Sequence, residues 1–449
     1  MTITTDQLLN QKTGRLSLHY FIPTICGTLM GCVYGFADVL FIGRGVGGSA
    51  LAAVNIATPV FSIFGTLATL LGVGGAVTLS ICLGQQKRKE ANQAFSLSLV
   101  LLTLLSVLIL VLGQCFLEPL SLFLGATPGI LDMVKLYIGT VLWGTPGFLL
   151  NWSLGSFVRN DGNPKLVMWA SVVPNLFNVV FDYIFIFPCN MGIFGAALAT
   201  ALSPYLGLVL ILLHFILKRN SITLVNPLRH LRILGRILKN GCGYAILEST
   251  NGILILAFNL ILIQLGGESS VSSYAILLNI GWLVYSIMQG FVQAAQPIIS
   301  VNYGAGHISR CLHAFYLSSA WGMLFVLLSM VLLLIDPTPV IRLFAEGDES
   351  LVQFTAVNGR MYFTELLFMG VNIAVLNLQQ ACERFVPSLV ISLGRGLVFP
   401  LIGLLLLTSV FGLDGAWWAI TFGEAATLGF SMVIFLFTLK KFRTIQTVK

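Results

Sequence analysis

The chain contains 449 residues, of which 57% are hydrophobic and only 9% are charged, and its mean hydropathy is +0.93. Soluble domains carry about 25% charged residues, so this composition excludes a soluble globular protein and indicates a membrane protein. The net charge of +7 does not indicate a nucleic-acid partner, because membrane proteins collect basic residues in their cytoplasmic connections.

Apolar segments of about 18 or more residues recur along the whole chain, and each is long enough to cross a bilayer as a helix. In chain order they cover residues 16–43, 50–83, 91–117, 132–157, 164–188, 192–217, 239–265, 271–302, 309–335, 351–380, 386–411 and 415–439. The sequence therefore predicts an all-α membrane protein with twelve transmembrane helices.

The charge of the connections between these segments predicts their orientation. Basic runs at 87–89, 218–239 and 440–443 fall on the same side as both termini. The connections on the opposite side carry only Arg44, Lys135 and Arg342 as basic residues. The positive-inside rule therefore places both termini in the cytoplasm, and we expect a multi-pass protein of the cell inner (plasma) membrane.

Short patterns recur after 220 residues and divide the chain into two similar halves. The repeated positions are Gly84 and Gly304, Phe95 and Phe315, Pro119 and Pro339, and Gly195 and Gly415. Each half has six helices, so we expect two six-helix bundles in the same orientation, related by a pseudo-twofold axis along the membrane normal. The predicted lobes are 1–217 and 239–449, joined by a cytoplasmic linker at 218–238, an arrangement typical of transporters with alternating access.

Two carboxylates lie inside the apolar segments, where an unpaired charge costs a few kcal/mol or more. Asp38 is on the first predicted helix and Asp182 is on the fifth, with Asn178 one helical turn before Asp182. Such a pair of an amide and a carboxylate indicates a site for a cation or a proton. The alternative is a structural role, in which each aspartate hydrogen-bonds to a kinked backbone.

Several segments resemble one family of transporters. They are FADVLFIGRGVGGSALAAVNIATPVF, FVRNDGNPKLVMWASVVPNLFNVVFDYIFIF, GIFGAALATAL and QAAQPIISVNYGAG. These segments are similar to the multidrug and toxic compound extrusion (MATE) family, and the resemblance extends over nearly the whole chain. It implies a secondary active antiporter that exports lipophilic, often cationic small molecules in exchange for Na⁺ or H⁺, without any other cofactor.

The resemblance also implies the residues of a cation site. The matching positions are Asp38, Asn178, Asp182 and Thr200, with Tyr137 and Asn151 as less distinctive matches on the fourth helix. If sodium is the coupling ion, Asp38, Asn178 and Asp182 would bind it. Residue counts place Asp38, Asp182 and Thr200 within roughly 6 to 12 Å of the outer boundary, so they can meet at one depth. Their oxygens suit either Na⁺ or a proton.

Further polar residues lie within the second half. Glu248 and Glu365 come near the midplane, where we expect them to bind cationic substrates or to form a second ion site. Gln289 and Gln293 lie on one face of the eighth helix, where they would either face a central cavity or join helices through hydrogen bonds. Arg395 and Glu424, on the last two helices, are expected to pair with each other, because an unpaired arginine at that depth would be costly.

Other functions are less consistent with the sequence. A lipid-linked oligosaccharide flippase would need an arginine-rich cavity, whereas only Arg360 and Arg395 are expected to lie within the membrane. An exporter of a native metabolite on the same scaffold remains an alternative. The five histidines are scattered and no Walker A motif is present, so neither a membrane enzyme nor an ATP-driven pump is indicated. We expect a monomer that contacts membrane lipids and small-molecule substrates.

Close packing of the first helix is also predicted. Gly27, Gly31 and Gly35 repeat at four-residue spacing, which puts a row of small residues on one face. Such rows let two membrane helices approach each other closely.

Overall fold

The computed structural model of the chain describes residues 3–227, 231–345 and 347–447, and within them it has no strand. The membrane-length helices are α1 (Thr13–Gly45), α2 (Gly48–Gly84), α3 (Arg88–Cys115), α4 (Leu131–Trp143 and Thr145–Asn160), α5 (Pro164–Ile186), α6 (Gly192–Ile216), α7 (232–266), α8 (268–304), α9 (Ile308–Ile335), α10 (Glu349–Ala381), α11 (Phe385–Phe411) and α12 (Leu413–Thr447). The predicted fold class, an all-α protein with twelve membrane helices, is confirmed.

Two helices differ from their predicted form. The fourth is predicted as one segment, but α4 bends by 47° at Gly144. Pro146 follows the bend, and proline cannot donate the backbone hydrogen bond that would continue the preceding helix. A Cβ at Gly144 would lie 2.9 Å from the Ala201 Cα, so this glycine also lets α4 approach α6 closely.

The junction of α7 and α8 is tighter than the predicted connection at 266–270. Helical backbone runs from Arg232 to Gly304 and departs from helical geometry only at Gly267, with φ 67° and ψ −163°. Glycine adopts positive φ without steric cost, so one residue redirects the chain. Helix α7 begins seven residues before its predicted start, in a basic stretch that hydropathy does not mark as part of a span.

The chain divides into two compact units. Residues 1–11 with 18–245 form the first lobe, and residues 12–17 with 246–449 form the second lobe. The first lobe contains most of α1, all of α2 to α6, and the first part of α7. Residues 228–230 of the predicted linker lie outside the described part of the chain.

The described part of the linker is held against the first lobe as an extended segment. Alternate backbone N–H groups donate to side chains of that lobe: Ser221 to Asp161 Oδ2 at 2.9 Å, Thr223 to Asn92 Oδ1 at 3.1 Å, and Val225 to Ser96 Oγ at 2.9 Å. The side chain of Ile222 points into the lobe and is fully buried. These residues are therefore an integral part of the first lobe.

The start of α7 crosses α2 at very short range. Within α2, residues Ala68–Val73 form a π-helical turn, and a Cβ at Gly241 of α7 would lie 1.9 Å from the Leu70 carbonyl oxygen there. The Asn240 Nδ2 donates to Thr78 Oγ1 at 2.9 Å in the same buried contact. The crossing therefore depends on glycine at 241.

We expect Gly241→Ala to destabilise the protein by about 1–3 kcal/mol, because the added methyl group meets backbone atoms that cannot move aside cheaply. Gly235→Ala is the matched control on the same helix, since a Cβ there has no other atom within 4 Å. It should be neutral or slightly stabilising, because alanine favours helix. Thermal unfolding of the detergent-purified variants measures both effects; equal unfolding temperatures for the two would contradict the proposed crossing.

Candidate functional site

Helices α1 and α5 of the first lobe pack side by side in the same direction. The Ser171 hydroxyl donates to the Gly27 carbonyl oxygen at 3.1 Å, across a separation of 144 residues. One turn later, a Cβ at Gly31 would lie 4.0 Å from the Asn175 Nδ2, at the same separation. A Cβ at Gly27 would lie 3.5 Å from the Ser171 Cβ, which is an ordinary van der Waals contact, so this packing does not require glycine at these positions.

The same packing brings the two intramembrane aspartates together. Asp38 and Asp182 again differ by 144 residues, and their carboxyl groups are close enough to interact directly. Asp38 is 8% exposed and Asp182 is fully buried. In each carboxyl group, Oδ1 has no hydrogen-bond partner among the residues that the structure describes. Two carboxyl groups can stay in contact only if a proton is shared between them or a cation compensates their charge.

Asn178 and Thr200 hold one side of this pair. The Asn178 amide satisfies both of its ends when Nδ2 donates to Asp182 Oδ2 at 2.7 Å and Oδ1 accepts from the Thr200 backbone N–H at 3.1 Å. Both residues are buried, with 0% and 1% of their surface exposed. In this arrangement Asn178 orients Asp182 by hydrogen bonding, and its oxygen faces α6.

Two tyrosines complete the cluster. Tyr34 and Tyr137 both lie beside the Thr200 side chain and in the electrostatic field of Asp38 and Asp182. Tyr137 is a predicted site residue, whereas Tyr34 is not. Tyr34 lies one turn before Asp38 on the same helix face, and this spacing is the sequence signal that could have identified it.

We call this cluster the carboxyl-pair site. Its members are Tyr34, Asp38, Tyr137, Asn178, Asp182 and Thr200. Asn151, the remaining predicted residue, lies elsewhere on α4: a Cβ at Gly207 would lie 2.6 Å from its Nδ2. Gly207 is seven residues beyond Thr200 on α6, which is about 10 Å along the helix.

The second lobe contains a separate charged cluster. The Arg395 Nε donates to Glu424 Oε1 at 2.6 Å, so the pairing predicted from the sequence is present. The Asn372 Nδ2 donates to Glu424 Oε2 at 2.7 Å, and the Arg395 guanidinium lies 5.2 Å from the centre of the Tyr285 ring. Arg395 is therefore held by an ion pair and an aromatic face.

The predicted substrate-binding residues lie around this ion pair. Glu365 is 6% exposed and interacts electrostatically with Glu424 and Arg395. Glu248, which is half-buried on α7, interacts electrostatically with Tyr285. The Gln289 Nε2 donates to the Tyr285 hydroxyl at 2.6 Å.

Gln293 lies one turn beyond Gln289 on α8 and is half-buried. The cluster around Arg395 thus combines the carboxyl groups of Glu248, Glu365 and Glu424 with a single guanidinium group. This excess of carboxyl groups favours a positively charged ligand.

Comparisons with known proteins are consistent with this arrangement. A family model, MatE, matches residues 23–184 and 249–404. The chain is 24% identical to multidrug export protein MepA of Staphylococcus aureus (strain MRSA252) over 425 residues, which cover 93% of each chain. It is 23% identical over 424 residues to multidrug export protein MepA of Staphylococcus saprophyticus, again with 93% of each chain covered.

Solved structures show the same fold. An outward-facing conformation of a multidrug resistance MATE family transporter of the MOP superfamily superposes with a TM-score of 0.91 at 23% identity, over 100% of both chains. A MOP superfamily transporter from Pyrococcus furiosus gives a TM-score of 0.90 at 23% identity, over 99% of both chains.

Proposed function

The chain belongs to the MatE family of multi-pass membrane transporters, and we propose that it is a secondary active antiporter that exports lipophilic, often cationic compounds. Its relatives named multidrug export proteins match 93% of its length, which supports this class of substrate. The observation that carries the coupling mechanism is the buried contact between Asp38 and Asp182.

We propose that a proton is the coupling ion in this arrangement. A shared proton satisfies the contact between Asp38 and Asp182 without any other ligand, whereas Na⁺ needs several more oxygens around it. The Asn178 oxygen accepts from Thr200 and would have to turn away to bind sodium. Loss of the proton would leave two carboxylates in contact, and their repulsion would oppose the packing of α1 against α5.

This repulsion makes the packing of α1 against α5 depend on protonation, and such a dependence can drive alternating access. Protonation favours the closely packed arrangement of α1 and α5, and deprotonation favours a looser one. A ligand shifts such an equilibrium only by its different affinity for the two states, and here the proton has that difference. Export would follow when proton uptake on one side of the membrane and release on the other are tied to substrate release and binding.

Substrate recognition is proposed for the cluster in the second lobe. Glu248 contributes a carboxyl group near Tyr285, and Glu365 contributes one near the Tyr274 and Tyr362 rings, which lie 6.4 Å apart. Cations bind well to sites that combine carboxylates with aromatic faces. A flippase is less consistent with the two intramembrane arginines, because Arg360 donates to the Ile335 carbonyl at 3.3 Å and Arg395 is paired.

Both termini are proposed to lie in the cytoplasm of a cell whose plasma membrane holds the protein, because most basic residues then face inward. A single chain contains both the carboxyl-pair site and the cluster around Arg395, so we propose that the monomer is the transporting unit.

The first prediction concerns coupling. Asp38→Asn and Asp182→Asn should each reduce proton-driven efflux from proteoliposomes by roughly tenfold or more, because each removes a group that takes up the driving proton. The double variant should be hardly worse than either single variant, since the two carboxyl groups act as one unit. Asp132→Asn, at an exposed acid on α4, is the matched control and should transport normally.

Efflux is measured with H⁺ and Na⁺ gradients imposed separately. Strictly additive partial losses in the two aspartate variants would contradict a single site. Efflux driven by a Na⁺ gradient alone would identify sodium, and not the proton, as the coupling ion. A requirement for ATP would contradict the antiporter proposal.

The second prediction concerns substrate charge. Glu248→Gln and Glu365→Gln should weaken binding of cationic compounds about tenfold and leave neutral compounds nearly unaffected, because only the cations lose a Coulombic partner. Glu268→Gln changes an exposed acid at the start of α8 and serves as control. Ligand titration of the purified variants measures the effect; equal weakening for both classes of compound would assign these glutamates to folding or ion coupling.

The third prediction concerns orientation. A cysteine introduced at Asn226, an exposed position of the linker, should react with an impermeant thiol reagent only after the cells are opened. A cysteine at Thr127, in a predicted outer connection, should react in intact cells. Labelling is counted above that of the unaltered chain, whose exposed cysteines include Cys115 and Cys189. Equal labelling at Asn226 before and after opening would reverse the topology.

A further inference from the structure

Helices α10 and α12 of the second lobe each present a row of polar side chains at seven-residue spacing. On α10 the row is Asn358, Glu365, Asn372 and Gln379, which are 5%, 6%, 0% and 0% exposed. On α12 it is Trp417, Glu424, Ser431 and Thr438, which are 1%, 5%, 0% and 0% exposed. Seven residues are close to two helical turns, so each row follows one face of its helix.

The two rows face each other. The Asn372 Nδ2 donates to the Glu424 carboxylate at 2.7 Å, and the Thr438 hydroxyl donates to Gln379 Oε1 at 3.1 Å. Ser431 lies midway between Glu424 and Thr438 on the same face, so it is also directed at α10. We call the two facing rows the heptad seam.

The seam has more hydrogen-bonding groups than it pairs. Five buried atoms have no hydrogen-bond partner within the described part of the chain: Asn358 Nδ2, Asn372 Oδ1, Gln379 Nε2, Trp417 Nε1 and Ser431 Oγ. In a medium of low dielectric, each such group costs free energy comparable to a lost hydrogen bond or more. A seam that only joined two helices would be expected to pair these groups with each other. Buried water, which makes about three hydrogen bonds, satisfies such groups.

The seam is long enough to cross the membrane. Asn358 and Gln379 are 21 residues apart, a rise of about 32 Å along a helix. The hydrocarbon core of a bilayer is about 30 Å thick. Polar groups are therefore available at two-turn intervals across the full depth, with Glu365 and Glu424 among them.

We propose that the heptad seam binds a file of water molecules that carries protons to and from Glu365 and Glu424, giving the second lobe a proton route of its own. Each water accepts one proton and passes one on, so no water is consumed, and the molecules turn back to their first orientation before the next transfer. This inference deepens the proposed antiport function by assigning a path for the proton, and it rests on that function.

Two arginines lie beside the seam and affect the movement of protons along it. Arg395 is neutralised by its pairing with Glu424, so it does not repel a proton at that depth. Arg384 donates to the Thr438 hydroxyl at the Gln379 end. A fixed positive charge at one end of a water file opposes the free passage of protons. A coupled transporter requires such a barrier.

The first test detects the water directly in the unaltered protein. Radiolysis by a synchrotron beam converts bound water to hydroxyl radicals, which oxidise adjacent side chains. Met369 is 3% exposed and lies between Glu365 and Asn372 on the same face of α10. Met288 is the matched control, because it is fully buried and packed against Gly322 of α9.

We expect Met369 and Trp417 to be oxidised at least about tenfold faster than Met288, a difference that their burial alone does not predict, because buried water would lie beside the seam residues. Equal, slow oxidation of Met369 and Met288 would show a dry seam and overturn the proposal.

The second test measures proton movement. Ser431→Ala and Gln379→Leu should slow substrate-dependent proton flux into proteoliposomes by roughly tenfold, because each removes a link of the relay. Substrate binding without a gradient should be unchanged. Thr427→Val is the matched control, since that buried hydroxyl on α12 already donates to its own helix at the Gly423 carbonyl.

The outcomes separate the two proposals. If the unaltered protein shows no ion-driven export, the proposed function fails, and the oxidation of Met369 still decides whether the seam holds water. If export is proton-driven and Ser431→Ala and Gln379→Leu match Thr427→Val, the proton route is overturned while the antiport function stands.

Discussion

The contact between the carboxyl groups of Asp38 and Asp182 is the constraint on which the first lobe depends. It exists because α1 and α5 run side by side in register, with Gly27 against Ser171 and Gly31 near Asn175. This register determines the chemistry several turns away, because two buried carboxyl groups in contact must share a proton or bind a cation.

The buried charges of the second lobe are arranged differently from those of the first. Arg395 and Glu424 neutralise each other, and Asn372 supplies a further hydrogen bond to the glutamate. Around this fixed pair, Glu365 and Glu248 add two carboxyl groups, and no second guanidinium group among the described residues forms an ion pair with them. The first lobe therefore has two acids that compensate each other through a proton or cation, and the second has acids in excess of its arginine.

The polar residues inside the protein are organised by helix pairs. Asp38 and Asp182 belong to α1 and α5, and the heptad seam belongs to α10 and α12. The start of α7 and the linker residues 221–226 are held by hydrogen bonds to the first lobe. Each of these polar clusters thus lies between two helices in contact. Burial makes every unsatisfied polar atom in such a contact costly enough to require a ligand, a proton or water.

The sequence by itself determined the number of helices, because a hydrocarbon core about 30 Å thick demands long apolar segments that no other structure would produce. It also determined that Asp38, Asp182, Glu365 and Arg395 needed partners, and the spacing of Arg395 and Glu424 on adjacent helices identified one of them. Only the tertiary structure decided the others. Tyr34 joined the carboxyl-pair site and Asn151 did not, although both lie on helices that contribute to it, because rotation about a helix axis is fixed by packing. The bend at Gly144 and the break at Gly267 were likewise decided by contacts and by single φ values, which hydropathy does not record.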